Sequence, residues 1–314
     1  MTLLSLSYLC TKIQETLEKA IRIGTRGSDL ALWQAHYAKE QLARIGIPVE
    51  LKIIKTQGDR IQHLSFDKME GKGFFTKEIE DALLRGDVDM AVHSMKDLPT
   101  EQPEGLAITA VSYRENPADW LVIPREKVDQ EQLFNMKAKA VVGTSSARRK
   151  AQVLHFRSDV QIRDIRGNVP TRLNKLRRGD FDAILLAAAG LSRLEPDLSE
   201  FEIFKMNPKE FVPAPAQGVL AFQTLRDDLP TRRILRQIHH PEISARTNVE
   251  RSVLKLFEGG CHMPLGVYCE RDDQGNYHVW AAKADHWNGP LKQVRLSSST
   301  HHQLAERVVE ELKK

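Results

Sequence analysis

Cysteine is scarce in this chain: 314 residues hold three, Cys10, Cys261 and Cys269. So small and odd a number excludes a disulfide framework and suits a reducing compartment. Long apolar runs are missing as well. The apolar opening, residues 1–10, is too short to span a bilayer, has no basic residue before its leucines and lacks a small-residue cleavage site. Leu9 ahead of Cys10 argues against a lipoprotein site. The expected location is the cytoplasm, with residues 1–20 as a helical or frayed extension. A surplus of one charge is absent too: 46 basic residues against 42 acidic ones leave a net +4, too even for a generic polyanion binder. The basic residues form no continuous helix face and aromatics do not interleave with them, which excludes a nucleic-acid binder. There is no Walker-type loop and no G-x-G-x-x-G. Cys261, His262 and Cys269 lack zinc-ligand spacing, so no metal is expected.

What is present is a steady alternation of strand-period and helix-period segments, the pattern of an α/β protein. Strands are predicted over residues 20–24, 49–55 and 88–93, with helices over 29–45 and 75–85. The polar, glycine-punctuated segment 56–73 reads as a mobile loop over a cleft. A second round follows near Pro117, with strands over 120–123, 140–142, 160–162 and 183–187 and helices over 147–156, 170–178 and 189–194. The proline-rich segment 211–218 reads as a crossing between lobes. Beyond Pro241 the pattern predicts a helix through Val253 and Leu256, a loop around Cys261, strands over 266–270 and 277–283, and a closing helix over 301–312.

Polar clusters fall just after strands, where open α/β sheets bind ligands. In Gly143-Thr144-Ser145-Ser146-Ala147-Arg148-Arg149 a strand delivers a glycine and three hydroxyls to a helix start, whose free N–H groups attract anions. Cations oppose the dipole in a first helical turn, so Arg148 and Arg149 point to an anionic partner unless they are solvated. Arg163, Arg166 and Arg172 frame the next helix start, Arg193 follows the strand at 183–187, and Arg26 with Ser28 follows the first strand. With Lys96, five strand ends carry a cation. Guanidinium forks take carboxylates or phosphates in bidentate fashion, so a cleft lined with them expects a ligand bearing several negative groups. Asp97 is the exception among these cations. It either shuttles a proton and steadies a positive charge, or forms a salt bridge with Lys96 or an arginine. The loop Glu258-Gly259-Gly260-Cys261-His262-Met263-Pro264 lets backbone approach a ligand closely; its thiol is either reactive or a packed structural one.

Taken in order, the stretches Thr25–Ala35, Gly71–Phe75, Ala91–Pro99, Gly143–Arg149, Arg166–Leu173 and Glu258–Cys261 resemble the hydroxymethylbilane synthase (porphobilinogen deaminase) family. The likeness runs from Ile21 to Gly266 and is loose thereafter. It implies two periplasmic-binding-protein-like domains with an active cleft between them and a small C-terminal α/β domain. The implied boundaries are 21–115 with 216–238, then 116–215, then 239–314. It also implies a dipyrromethane cofactor joined by a thioether to Cys261, and porphobilinogen as the substrate of a monomer. Each pyrrole of that substrate carries an acetate and a propionate, which accounts for the cations at the strand ends. By the resemblance, Ser94, Lys96, Thr144, Ser146, Arg148 and Arg149 face the cofactor. Arg26, Ser28, Lys72, Arg166, Arg172, Arg193 and Gln217 face the substrate, and Asp97 is the catalytic carboxylate. The implied reaction loses ammonia from each substrate, joins four in a row and ends in hydrolysis that frees hydroxymethylbilane. Two positions depart from the family pattern: Ala216 stands before Gln217-Gly218 where a glycine is usual, and Gln223 stands where an acid is usual. A non-catalytic binder of a small polyanion would also explain the strand-end arginines, but would leave Asp97 and the Gly-Gly-Cys loop without a purpose.

Overall fold

A computed structural model describes residues 20–56, 76–260 and 263–314. The expected mobile loop with Lys72, the residues before 20, and Cys261 with His262 lie outside the described residues.

Three sheets organise the chain. The first is built from β1 (Ile21–Thr25), β2 (Val49–Ile53), β3 (Met90–Ser94) and β4 (Leu106–Val111), with β10 (Leu220–Leu225) returning late, in the order β2-β1-β3-β10-β4. The pairs β1–β2 and β1–β3 are parallel, whereas β10 runs antiparallel to both of its neighbours. Parallel strands need crossovers, and these are α1 (Asp29–Arg44) and α2 (Lys77–Leu84). Each helix buries one stripe: Ala31, Ala35, Ala38 and Leu42 on α1 recur at the three- and four-residue spacing that puts them on one face.

The second sheet repeats this plan. It contains β5 (Asp119–Pro124), β6 (Val141–Gly143), β7 (Gln161–Arg163), β8 (Ala183–Ala187) and β9 (Phe201–Lys205) in the order β7-β6-β8-β5-β9. Here β6 is parallel to β7 and β8, and β5 is antiparallel to β8 and β9. Its helices are α3 (Ala147–Phe156), α4 (Val169–Arg177) and α5 (Ala188–Leu194). After β10 come α6 (Leu229–Leu235) and α7 (Pro241–Leu256). Then an antiparallel meander, β11 (Leu265–Arg271), β12 (Tyr277–Lys283) and β13 (Lys292–Ser298), is closed by α8 (Leu304–Lys313). Each sheet has its own core: Ile23, Leu42 and Phe222 in the first, Leu121, Val153 and Phe211 in the second, Val253, Val267 and Val308 in the third.

Two chain crossings join the first two sheets, residues 112–118 outward and 206–219 on the return. They pair with one another through Glu115 N–H to Gly218 O (3.1 Å) and Ser112 N–H to Leu220 O (3.0 Å). Gly218 sits at φ 92°, and a Cβ there would lie 2.3 Å from the Glu115 carbonyl oxygen, so only glycine lets the crossings touch. The parallel strands of both sheets therefore end near one hinge, and their C-terminal ends are where the chemistry-bearing residues lie.

Candidate active site

The segment after β3 tightens into a single 3-10 turn, Met95–Asp97, rather than a helix, because Pro99 follows at once and cannot continue a ladder. The turn buries Met95 and leaves Lys96 half-buried and Asp97 exposed. No hydrogen bond or salt bridge joins the Asp97 carboxylate to another described residue. Ser94, just before it, accepts a hydrogen bond from buried Gln34 Nε2 at 2.8 Å.

In the second sheet, Ser146 caps α3 and accepts from Arg149 N–H. The Thr144 hydroxyl oxygen accepts from Ser146 N–H at 3.3 Å. Arg148 and Arg149 are both buried, and both reach a residue the sequence reading missed. Asp119, the first residue of β5, receives Arg148 Nη1 at 2.6 Å and Arg149 Nη2 at 2.7 Å. Burial alone would raise the Asp119 carboxyl, but the two guanidiniums hold it far below the usual carboxylate range. Part of the anionic partner inferred for this helix start is thus internal. One carboxylate against two guanidiniums still leaves a positive excess, and the Arg149 Nε–H is buried without a hydrogen-bond partner among the described residues.

Gln217 ties this cluster to the first sheet. Its amide donates to Asp119 Oδ1 (2.9 Å) and to the Pro117 carbonyl (2.7 Å), while its carbonyl accepts from Lys96 Nζ at 3.3 Å. Lys96 consequently has its ammonium pushed below its ordinary value, by burial first and then by Arg149 and Arg148, with Asp97 and Asp119 opposing. Arg172 is lowered to about 10, by burial first, then by Arg149 and Arg166, with Asp97 again opposing. Through Gln217 and Asp119, Lys96 of one sheet is thus joined by hydrogen bonds to Arg148 and Arg149 of the other.

Arg166 is half-buried just before Gly167, and Arg172 Nε donates to the Gly167 carbonyl at 2.7 Å. Arg193 crosses the hinge: its Nη2 donates to Gly218 O at 2.7 Å and its guanidinium lies 5.3 Å from the Trp33 ring centre. Its Nε is buried without a hydrogen-bond partner among the described residues. Arg26 and Ser28 stand half-buried at the end of β1, and the Ser28 hydroxyl caps no backbone N–H of α1.

The two departures from the family pattern have physical readings. Ala216 adopts φ 62°, a left-handed conformation that glycine takes without a Cβ clash, so its effect is backbone strain and not a lost contact. Gln223 accepts from His93 Nε2 at 3.0 Å with one end of its amide and donates to Glu80 (3.1 Å) and Gln102 (3.0 Å) with the other. An amide bridges a ring N–H and a carboxylate without adding a second buried charge. His93 is lowered to about 4, by burial first, with the Gln223 hydrogen bond opposing and Arg26 adding to the fall.

At the far end of α7, Met263 N–H donates to Gly260 O at 3.0 Å, tying together the two flanks of the cysteine loop. A Cβ on Gly259 would lie 2.8 Å from the ends of both the Leu254 and Met263 side chains, which pack closely over it. The other described thiol, Cys269, is fully buried on β11 and pushed up by burial, which marks it as packing and inert.

A family model described as porphobilinogen deaminase, dipyromethane cofactor binding domain, matches residues 21–233. The porphobilinogen deaminase of Chloroherpeton thalassium is 43% identical over 264 residues, covering 83% of this chain and 82% of that protein. Those of Nitratiruptor sp. (44% identical, 79% and 77% covered) and Shouchella clausii (45%, 80% and 79%) are similar to the same extent. Among solved structures, the chain is similar to an ancestral cationic amino acid solute binding protein (TM-score 0.42, 15% identical, 72% and 93% covered). It is likewise similar to the periplasmic VFT2 domain of Bordetella pertussis BvgS (TM-score 0.44, 12% identical, 76% and 95% covered). Scores this low leave the fold to be read from the sheet orders themselves.

Proposed function

The chain belongs to the porphobilinogen deaminase family, and from that premise we propose that the cations gathered at the hinge grip a carboxylate-rich pyrrole chain while Asp97 does the chemistry. The reaction condenses four porphobilinogens head to tail with loss of ammonia onto a covalently bound dipyrromethane, then releases hydroxymethylbilane by hydrolysis. The observation that carries the residue assignment is the exposed Asp97 carboxylate, without an ion pair to a described residue, whose charge is felt by Lys96 and Arg172.

The donor set fits a polyacidic pyrrole cofactor. Arg148 and Arg149 carry one more charge than Asp119 cancels, Arg149 offers a buried N–H with no partner among the described residues, and Thr144 and Ser146 add hydroxyls. When bound, dipyrromethane supplies the free pyrrole carbon to which substrate rings are added. Ser94, Lys96, Thr144, Ser146, Arg148 and Arg149 would hold its acidic side chains, and Cys261 would carry the thioether. Arg26, Ser28, Lys72, Arg166, Arg172, Arg193 and Gln217 would take the acetate and propionate of the substrate. As the substrate's C–N bond breaks and ammonia departs, positive charge develops on its ring. Asp97 would stabilise that charge and take up the proton lost when the new C–C bond forms. Covalent retention of the starter removes the entropy of recapturing it in each round.

Two sheets sharing a hinge, with the third beyond it, support a division into 21–115 with 216–238, 116–215 and 239–314, with residues 1–20 as an extension. We read the protein as a cytoplasmic monomer whose partner is the small-molecule substrate, with neither nucleic acid nor membrane as partner. In support, no helix among the described residues is long and apolar enough to cross a membrane, and the charge balance is even.

Intact mass of the protein beside its Cys261→Ala variant tests the attachment: extra mass equal to one dipyrromethane is expected on the first and none on the second. Asp97→Asn should keep the fold and the cofactor mass while nearly abolishing turnover. Near-normal turnover in that variant would remove Asp97 from the mechanism.

A further inference from the structure

The turn that presents Asp97 is held from outside its own sheet. Arg251, on the fourth turn of α7 and 8% exposed, donates Nη1 to the carbonyls of Met95 (2.9 Å) and Leu98 (3.1 Å). Its Nη2 donates to the carbonyl of Pro99 at 2.6 Å. Three carbonyls on either side of Asp97 thus converge on one planar fork. A single 3-10 turn makes few bonds of its own, here Leu98 N–H to Met95 O at 3.3 Å; Met95 N–H donates to Val219 O at 2.9 Å on the sheet side, and the fork holds the turn's carbonyls from the other. The neighbouring residue, Glu250, points elsewhere and grips the hinge through Arg114 and Ala216. Five residues beyond the end of the same helix comes Cys261.

We propose that Arg251 is a positioning residue for the condensation: it registers the Asp97 turn against the helix that leads to the thiol. The inference rests on the Asp97 assignment above. Asp97 has no hydrogen bond of its own to described residues, so its location depends on the turn backbone, three of whose carbonyls Arg251 holds. An ammonium could reach one or two of the three carbonyls but cannot reproduce the fork. Small misplacements of a catalytic group lower the rate of the chemical step while leaving ground-state binding largely intact. Carboxylate recognition by Arg149, Arg166 and Arg172 does not run through α7, so substrate affinity should be spared.

The test uses holoenzyme whose intact mass confirms the attached cofactor. Arg251→Met and Arg251→Lys are compared with wild type for kcat, KM and thermal midpoint, and each is combined with Asp97→Glu, which keeps a carboxylate but displaces it by one methylene. Expected are a kcat reduced at least tenfold in Arg251→Met, a smaller loss in Arg251→Lys, and KM within threefold of wild type. In the Asp97→Glu background, replacing Arg251 should cost clearly less than it does in wild type, since the carboxylate is already displaced. A folded, cofactor-loaded Arg251→Met with wild-type kcat overturns the proposal. So does a loss that multiplies in full with Asp97→Glu, or one that appears only in KM. Should Arg251→Met not fold or not load, Arg251→Lys decides on the same criteria, and failure of both to load assigns Arg251 to cofactor assembly instead, against the proposal. A wild-type rate in Asp97→Asn alone would sink the Asp97 assignment while leaving the Arg251 measurements readable.

Discussion

Asp119 balances two guanidiniums with one carboxylate, and all three groups are buried. A buried ion pair adds little net stability when intact, but losing one partner strands the other without solvent, at about 3–5 kcal/mol. Asp119→Asn should therefore lower the unfolding free energy, measured by urea titration, by an amount in that range. The loss should be larger in a Cys261→Ala background than in holoenzyme, because bound carboxylates would supply some of the missing counter-charge. Equal losses in the two backgrounds would argue that Arg148 and Arg149 do not face the cofactor. The sequence carried a faint sign of Asp119: a lone acid opening the apolar run Asp119-Trp120-Leu121-Val122-Ile123. A charge at the start of a buried strand needs a partner, but nothing local says that the partner lies 29 residues on, at Arg148. Asp97 and the strand-end cations were legible because they follow glycine and hydroxyl punctuation. Arg251 and Glu250 were not, because in sequence they are ordinary charges on a helix and their partners lie 152 and 136 residues away.

At the scale of elements, the parallel strands with their crossovers were readable, since each couples a short apolar run to an amphipathic helix. The strands β4, β9, β10 and β13 escaped. Residues of β10 are buried on both faces from Leu220 to Thr224, so alternation is lost and so short a stretch does not declare its period. Yet β10 sits between β3 and β4 and carries Gln223 to His93. Burial of His93 beneath that pairing makes the first sheet sensitive to acid. His93 is neutral in the fold, with a folded value of about 4 set mainly by burial. The unfolded chain binds a proton near pH 6.5, so stability is complete above that value and falls as pH drops towards 4. Between pH 7.5 and 5 the loss should be about 2 kcal/mol from this group. Urea titrations at the two pH values should show it, and His93→Gln should flatten that part of the slope. An unchanged slope would place the acid sensitivity elsewhere.

For the whole molecule, Glu250 is the joint at which three cores meet. Its carboxylate receives both Nη groups of Arg114 from the outward crossing (2.6 and 3.2 Å), the Ala216 N–H from the return crossing (2.6 Å) and the Cys269 N–H from β11 (2.8 Å). Arg114 in turn donates Nε to the Gln217 carbonyl at 3.0 Å, so the same joint steadies the amide that bridges Lys96 and Asp119. A hinge between two lobes could be loose. This one is fastened to α7, the helix that also holds the Asp97 turn and leads to the cofactor loop. Glu250→Gln keeps the shape but leaves the Arg114 cation buried without its counter-charge, and about 3–5 kcal/mol of stability should go. If the joint couples the lobes, hydrogen exchange in the variant will accelerate together in 112–119, 213–220 and 265–270, with turnover falling at constant cofactor mass. Acceleration confined to β11 would show instead that Glu250 serves only the third core, and that the hinge is set by the pairing of the two crossings alone.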